Sequence, residues 1–272
     1  MLFAKFRGPV TERQQAWELA GVALLLYAIL RLVFGPLPQW LSYHDFADTR
    51  QLGFVPRAGD VLTNLAILIS GLWGALLYRQ VTVTGDDRPA YRLAVVAAIL
   101  TAFGSAYYHW DPSNERLVWD RLPMSLLLTS VLALVLADRV SPPFGREALL
   151  PFGLVAVSGV LLWGFTEAAG RGDLLLYLVM RIGATVAVLT LLILRPPRHS
   201  GSGWLWAAVA FDVAETICER LDWQIWDLTG GIASGHNLKH LFSGAVIACL
   251  FGWLRQRRPL PAATAAQRPS RS

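Results

Sequence analysis

Two histidines four residues apart, His236 and His240 in HNLKH, open the last long apolar run of this chain. Four residues of α-helix turn the chain by about 400°, so the two rings share one face, one turn apart. Two imidazoles so placed can hold a divalent metal, and zinc is the usual occupant. The same spacing also arises by chance, and a single membrane histidine is often a hydrogen-bonded interior residue. A third ligand must come from elsewhere, and the chain has five histidines. His199 follows RPPR in a basic loop, on the wrong side of the chain's predicted spans. His44 lies in a polar loop on the right side and stays a candidate. His109 closes an apolar run in FGSAYYHW, at the same predicted depth as His236, and is the third ligand we expect. Three imidazoles plus a water make an open, catalytic-type zinc site.

The neighbours of His109 extend this chemistry. Ser105 lies one turn before it on the same helical face, and Asp120 follows it by eleven residues in WDRLPMS. A carboxylate beside a metal-activated water can take its proton, and a hydroxyl can bind a developing oxyanion. Each has a plainer reading. Asp120 suits a helix N-cap, and Ser105 suits a small residue at a membrane helix contact.

The elements that must position these residues are apolar helices. The 272 residues are 54% hydrophobic and 16% charged, with mean hydropathy +0.45; soluble domains carry about 25% charge. Eight apolar runs, at 15–34, 61–79, 92–110, 121–138, 149–168, 174–194, 203–221 and 237–254, each approach the ~20 residues that span a bilayer. The expected fold is an all-α polytopic membrane protein. A short segment, 1–14, precedes a helical domain, 15–254. A basic Pro/Ala/Ser-rich tail, 255–272, is expected to be disordered. FGPLPQW after the first run is not a cleavage site, so that helix is retained.

The formal charge of +5 belongs to loops rather than to a nucleic-acid surface. Placing the N terminus in the cytoplasm gathers Lys5, Arg7, Arg13, Arg79, Arg88, Arg92, Arg139, Arg146, Arg195, Arg198 and the tail on that side. Arg50, Arg57, Arg116, Arg121 and Arg171 fall opposite. This bias puts both termini in the cytoplasm. His109, Asp120 and His236 then lie at outward-facing helix ends. Cys218 and Cys249, in apolar runs, suggest neither a disulfide framework nor a cysteine metal site.

Asp212, Glu215 and Glu219, spaced i, i+3, i+7, share a face and are expected to point into the bundle as a polar network, with Lys239 and Arg181 as partners. Trp40, Trp110, Trp119 and Trp253, near run ends, fit interfacial belts.

The stretches GSAYYHW, WDRLPM and SGHNLKH together resemble the alkaline ceramidase family, of the CREST superfamily of membrane hydrolases. HDFADTRQLGFVPRAGDVLTNLAILISGLWG looks like its bacterial branch. The likeness runs from about residue 43 to 254. It implies a seven-helix core, 61–254, with the helix at 15–34 added ahead of it. It implies zinc on His109, His236 and His240, Asp120 orienting or deprotonating the attacking water, and Ser105 assisting the oxyanion. The implied reaction cleaves the amide of a membrane lipid such as ceramide, giving a sphingoid base and a fatty acid, in a bacterial inner membrane. No protein partner is inferred from the sequence. Family members also hold calcium with acidic residues ahead of the core. Asp45, Asp48 and Asp60 fall in a similar place, although Arg50 and Arg57 intrude. The other reading of these three is of surface acidic residues in a loop. A lipid receptor or a structural zinc protein on the same scaffold is the alternative function, and a metal or proton transporter a weaker one. The pairing of Ser105 with Asp120 favours hydrolysis, since holding zinc requires neither.

Overall fold

The computed structural model describes residues 11–81 and 85–261. Lys5, Arg7 and the tail from 262 onward lie outside the described residues. The described chain is helical: α1 (Glu12–Phe34), a 3-10 turn (Leu41–His44), α2 (Ala58–Leu62), α3 (Leu65–Leu77), α4 (Arg88–Trp110), α5 (Asn114–Arg139), α6 (Pro142–Ala168), α7 (Leu175–Leu194), α8 (Ser202–Arg220), α9 (Asp222–Leu228) and α10 (Gly235–Gln256). Seven helices among the described residues are long and apolar enough to cross a membrane, α2 and α3 counting together as Ala58–Leu77. The run at 203–221 does fold as a helix, the 19-residue α8. Its three carboxylates, Asp212, Glu215 and Glu219, leave it more polar than the seven.

Local chemistry sets the helix ends. Ser113 and Ser141 accept hydrogen bonds from Arg116 N and Phe144 N, capping α5 and α6. Ser234 caps α10 in a reciprocal box with Asn237, satisfying two first-turn donors at once. The single apolar run at 61–79 is broken after Leu62. There the Thr63 hydroxyl donates to Gly59 O (2.7 Å) and the Asn64 amide to Asp60 O (2.8 Å). Side chains competing with the helix ladder for carbonyls explain the interruption.

Neighbouring helices pack α3 on α4, α4 on α5, α5 on α6 and α7, and α10 on both α3 and α8, with α1 outside against α6 and α7. Small residues at 16 and 20 seat α1, while Leu32 and Phe34 on it are exposed, as a lipid-facing helix requires. Among the described residues α7 and α8 make at most marginal contact, and a cavity lies between them. Two expectations fail here. Trp253 is fully buried and stacks under Arg257, so it is no interfacial residue. Arg121, counted above with the loops, is buried in a cage of Tyr43, Trp163 and Tyr177.

Candidate metal centre

His109, at the end of α4, meets His236 and His240, in the first turns of α10. All three are buried. One ligand nitrogen from each lies within 4.8 Å of the others, a group that can hold a metal ion. His109 Nε2 and His236 Nε2 stand 3.1 Å apart. Zinc–nitrogen bonds of about 2.0–2.1 Å at a tetrahedral angle place two donors about 3.3 Å apart. Two neutral rings facing each other through Nε2 are well served by a shared cation.

The tautomer of His240 follows from its neighbour. The Thr63 hydroxyl spends its proton on Gly59 O, so the 2.9 Å contact with His240 Nδ1 has Nδ1–H donating to Thr63 Oγ1. That leaves Nε2 bare for a ligand, the outer-sphere arrangement common at metal histidines. Thr63 sits at the very break between α2 and α3, so the interruption serves the site. Nothing in the spacing of HNLKH pointed to it.

Backbone approach makes this meeting possible. A Cβ on residue 235 would lie 2.1 Å from Cys218 O and 2.7 Å from Asp222 Cα, so only glycine lets α10 begin against the end of α8. Asp222 then fixes the first turn. Its Oδ1 accepts from His236 N at 2.6 Å and its Oδ2 from Ala47 N at 2.9 Å, a carboxylate on a helix N-terminus where the dipole favours it. Phe46, in the loop before α2, packs on His109 and His236 with ring centroids 4.8 and 4.4 Å away. Asp222 and Phe46 were both missed, because only the tertiary fold brings them here.

The Ser105–Asp120 pair stands beside the histidines, and all five residues line one cavity. Ser105 and Asp120 line the cavity side by side, and Asp120 Oδ1 is buried without a hydrogen-bond partner. Asp120 is no N-cap: α5 begins at Asn114, with Ser113 as its cap, and Asp120 is buried inside the helix. A proline inside α5 brings the two helices together. Pro123 has no N–H for the carbonyl four residues back, that of Trp119. A Cβ on residue 104 would lie 2.2 Å from that same Trp119 oxygen. Glycine there lets α4 close on α5 and brings Ser105 against Asp120.

His44 does not join the group. Its Nε2 donates to Asn114 Oδ1 (2.8 Å), whose amide is oriented by Glu167, and its Nδ1 accepts from Tyr108 OH (2.7 Å). Burial lowers its pKa and keeps the ring neutral. His199 lies at the opposite end of the bundle, bonded to Asp138.

The polar network is partly as expected. Lys239 Nζ pairs with Glu219 at 2.5 Å, and Tyr43 OH reaches the same carboxylate at 3.5 Å. Arg181 instead bonds Tyr177 on its own helix. Asp212 and Glu215 line the cavity with Arg181. Asp45, Asp48 and Asp60 do not behave as one surface cluster. Asp45 is exposed while Asp48 and Asp60 are fully buried. Arg50 engages both oxygens of Asp48, and Asp60 Oδ1 accepts from Asn237. Burial would raise the Asp48 pKa, but the Arg50 hydrogen bonds and charge outweigh it and hold the carboxyl below its usual range. With a guanidinium already seated on Asp48, the three residues do not fit calcium.

The cavity, about 270 Å³, has the histidines, Ser105 and Asp120 at one end. Leu132, Val135, Leu192 and Leu205 line the other. Comparison of the chain with family models, curated proteins and solved structures finds no match.

Proposed function

We propose that this protein is a zinc-dependent intramembrane hydrolase that cleaves the amide of a ceramide-like N-acyl lipid, giving a sphingoid or related amine lipid and a fatty acid. One observation carries this reading: three buried imidazoles and a Ser–Asp pair share the end of a cavity whose remainder is mostly apolar. The resemblance to alkaline ceramidases rests on the same residues.

In this reading His109, His236 and His240 hold the zinc. Such an ion, when bound, polarises a carbonyl and acidifies water. The chain's own residues do the rest. Asp120 takes the proton of the attacking water as the new C–O bond forms, and returns it to the nitrogen as the C–N bond breaks. Ser105 turns its hydroxyl from Asp120 to the developing oxyanion. From Asp120 to Val135 the cavity-lining face of α5 rises about 22 Å, room for a long acyl chain, and a lipid can enter sideways between α7 and α8. α2 to α10 form the seven-span core, with α8 as the polar span facing the cavity, and α1 is the added helix. Both termini are cytoplasmic, and in a bacterium the protein sits in the inner membrane.

The test uses detergent-purified wild type and Asp120→Asn, with zinc content and fatty-acid release from N-acyl lipids measured on the same samples. The expected result is about one zinc per chain in both, and turnover lower by ~10²–10⁴-fold in the variant. Zinc retained by a wild type that releases no fatty acid from any N-acyl lipid would favour a receptor or structural role and sink the hydrolysis reading. A variant that loses zinc as well would make Asp120 a ligand.

A further inference from the structure

The loop ahead of α2 carries a cation of its own. Arg50 Nε donates to Asp48 Oδ1 at 2.8 Å and Nη2 to Asp48 Oδ2 at 2.7 Å. Nη1 reaches the carbonyl of Gly231 at 2.8 Å, and Nη2 that of Ile232 at 3.0 Å. The guanidinium also stacks on Trp226, 4.7 Å from its ring centroid. A bidentate carboxylate with two main-chain carbonyls is the all-oxygen surround a hard cation such as calcium takes. Here the charge at its centre is a side chain.

The position of this contact gives it a consequence. It joins the 45–52 loop to the turn at 230–233, which leads directly into α10 and its histidines. Below it, Asn237 Nδ2 donates to Asp60 Oδ1 at 2.7 Å. Asp60 Oδ2 is buried with no hydrogen-bond partner. The cation therefore meets the buried carboxylate of Asp48 at the entrance to α10, and the buried carboxylate of Asp60 is bonded to α10 itself through Asn237.

We propose that Arg50 is a built-in cation that does the structural work of a divalent ion in this oxygen-lined site, locking the 45–52 loop to the start of α10 so that the His236 turn is held without calcium. The proposal stands apart from the hydrolysis reading, because its readouts are metal content and unfolding.

The experiment uses full-length protein in detergent, in zinc-replete, calcium-free buffer, with and without millimolar CaCl2 and with NaCl matched for ionic strength. Wild type is expected to carry no calcium by elemental analysis and to unfold at the same temperature in all three. Arg50→Ala is expected to unfold about 3 °C lower, with calcium restoring part of the loss and NaCl none. The double variant Asp48→Asn with Arg50→Gln, which removes both charges, keeps the question open to measurement should the single variant fail to fold. It is expected to show no calcium response. Calcium bound to wild type, a wild-type midpoint that rises with calcium, an Arg50→Ala midpoint equal to wild type or unmoved by calcium, or a calcium response in the double variant would each overturn the proposal.

Discussion

The two ends of the helical bundle both set histidine beside buried carboxylate, and the histidines there serve in opposite ways. At the end away from the candidate centre, Asp138 accepts from His199 Nδ1 at 2.8 Å and pairs with Arg139 at 3.0 Å. Arg139 goes on to Arg195 O and Ser202, and Arg257 pairs with Asp87 at 2.5 Å. There each buried carboxylate meets a counter-charge, and the α7–α8 loop, the α5 terminus and the segment after α10 are tied together. At the other end Arg50 with Asp48 and Lys239 with Glu219 are paired as well, but three imidazoles face one another with no carboxylate among them, and Asp120 Oδ1 is buried without a hydrogen-bond partner. Burying polar groups without partners costs free energy, and in a membrane such groups tend to mark function. Paired charges hold a fold together, whereas a cluster of under-partnered donors is ready for a ligand.

The largest effect that would break this contrast is at the histidines. The double variant His236→Ala, His240→Ala should lose bound metal and lipid hydrolysis entirely while remaining helical by circular dichroism; full metal occupancy would remove the centre from the picture. At the paired end, Asp138→Asn leaves Arg139 buried beside a neutral group. It should cost about 3 kcal/mol of stability but leave metal content and turnover per folded molecule unchanged, as measured by thermal unfolding with parallel assays. Thr63→Val removes the acceptor of His240 Nδ1–H. It should weaken zinc binding about 10–100-fold in competition with a chelator, with little change in unfolding temperature.

The smallest effect concerns acid. Asp48 has its pKa depressed in the folded state by Arg50, so its contribution is complete above the ordinary carboxylate value of 3.8 and is lost as pH falls through the lower folded value. The difference in unfolding temperature between wild type and Asp48→Asn should therefore stay flat from neutral pH down to about 4 and shrink below it. A difference that shrinks already between pH 7 and 5 would point to another group.

The sequence by itself determined the helical membrane character and the placing of the three histidines on two helix ends. Apolar runs near 20 residues have one economical structure in lipid, because each backbone amide must be satisfied within its own segment, and a four-residue spacing has one meaning on a helix. The facing of His109 and His236 was legible for the same reason: the ends of adjacent spans lie at one depth. Tertiary structure alone decided the rest. It moved Asp120 from a presumed helix start to the interior of α5, because Ser113 opened that helix earlier. It buried Arg121 and Trp253, which local sequence places at a surface. It brought Thr63, Phe46 and Asp222 to the centre from a helix break, a loop and the start of the short α9, where no periodicity orders the residues and only close backbone approach, as at Gly104 and Gly235, fixes which side chains meet.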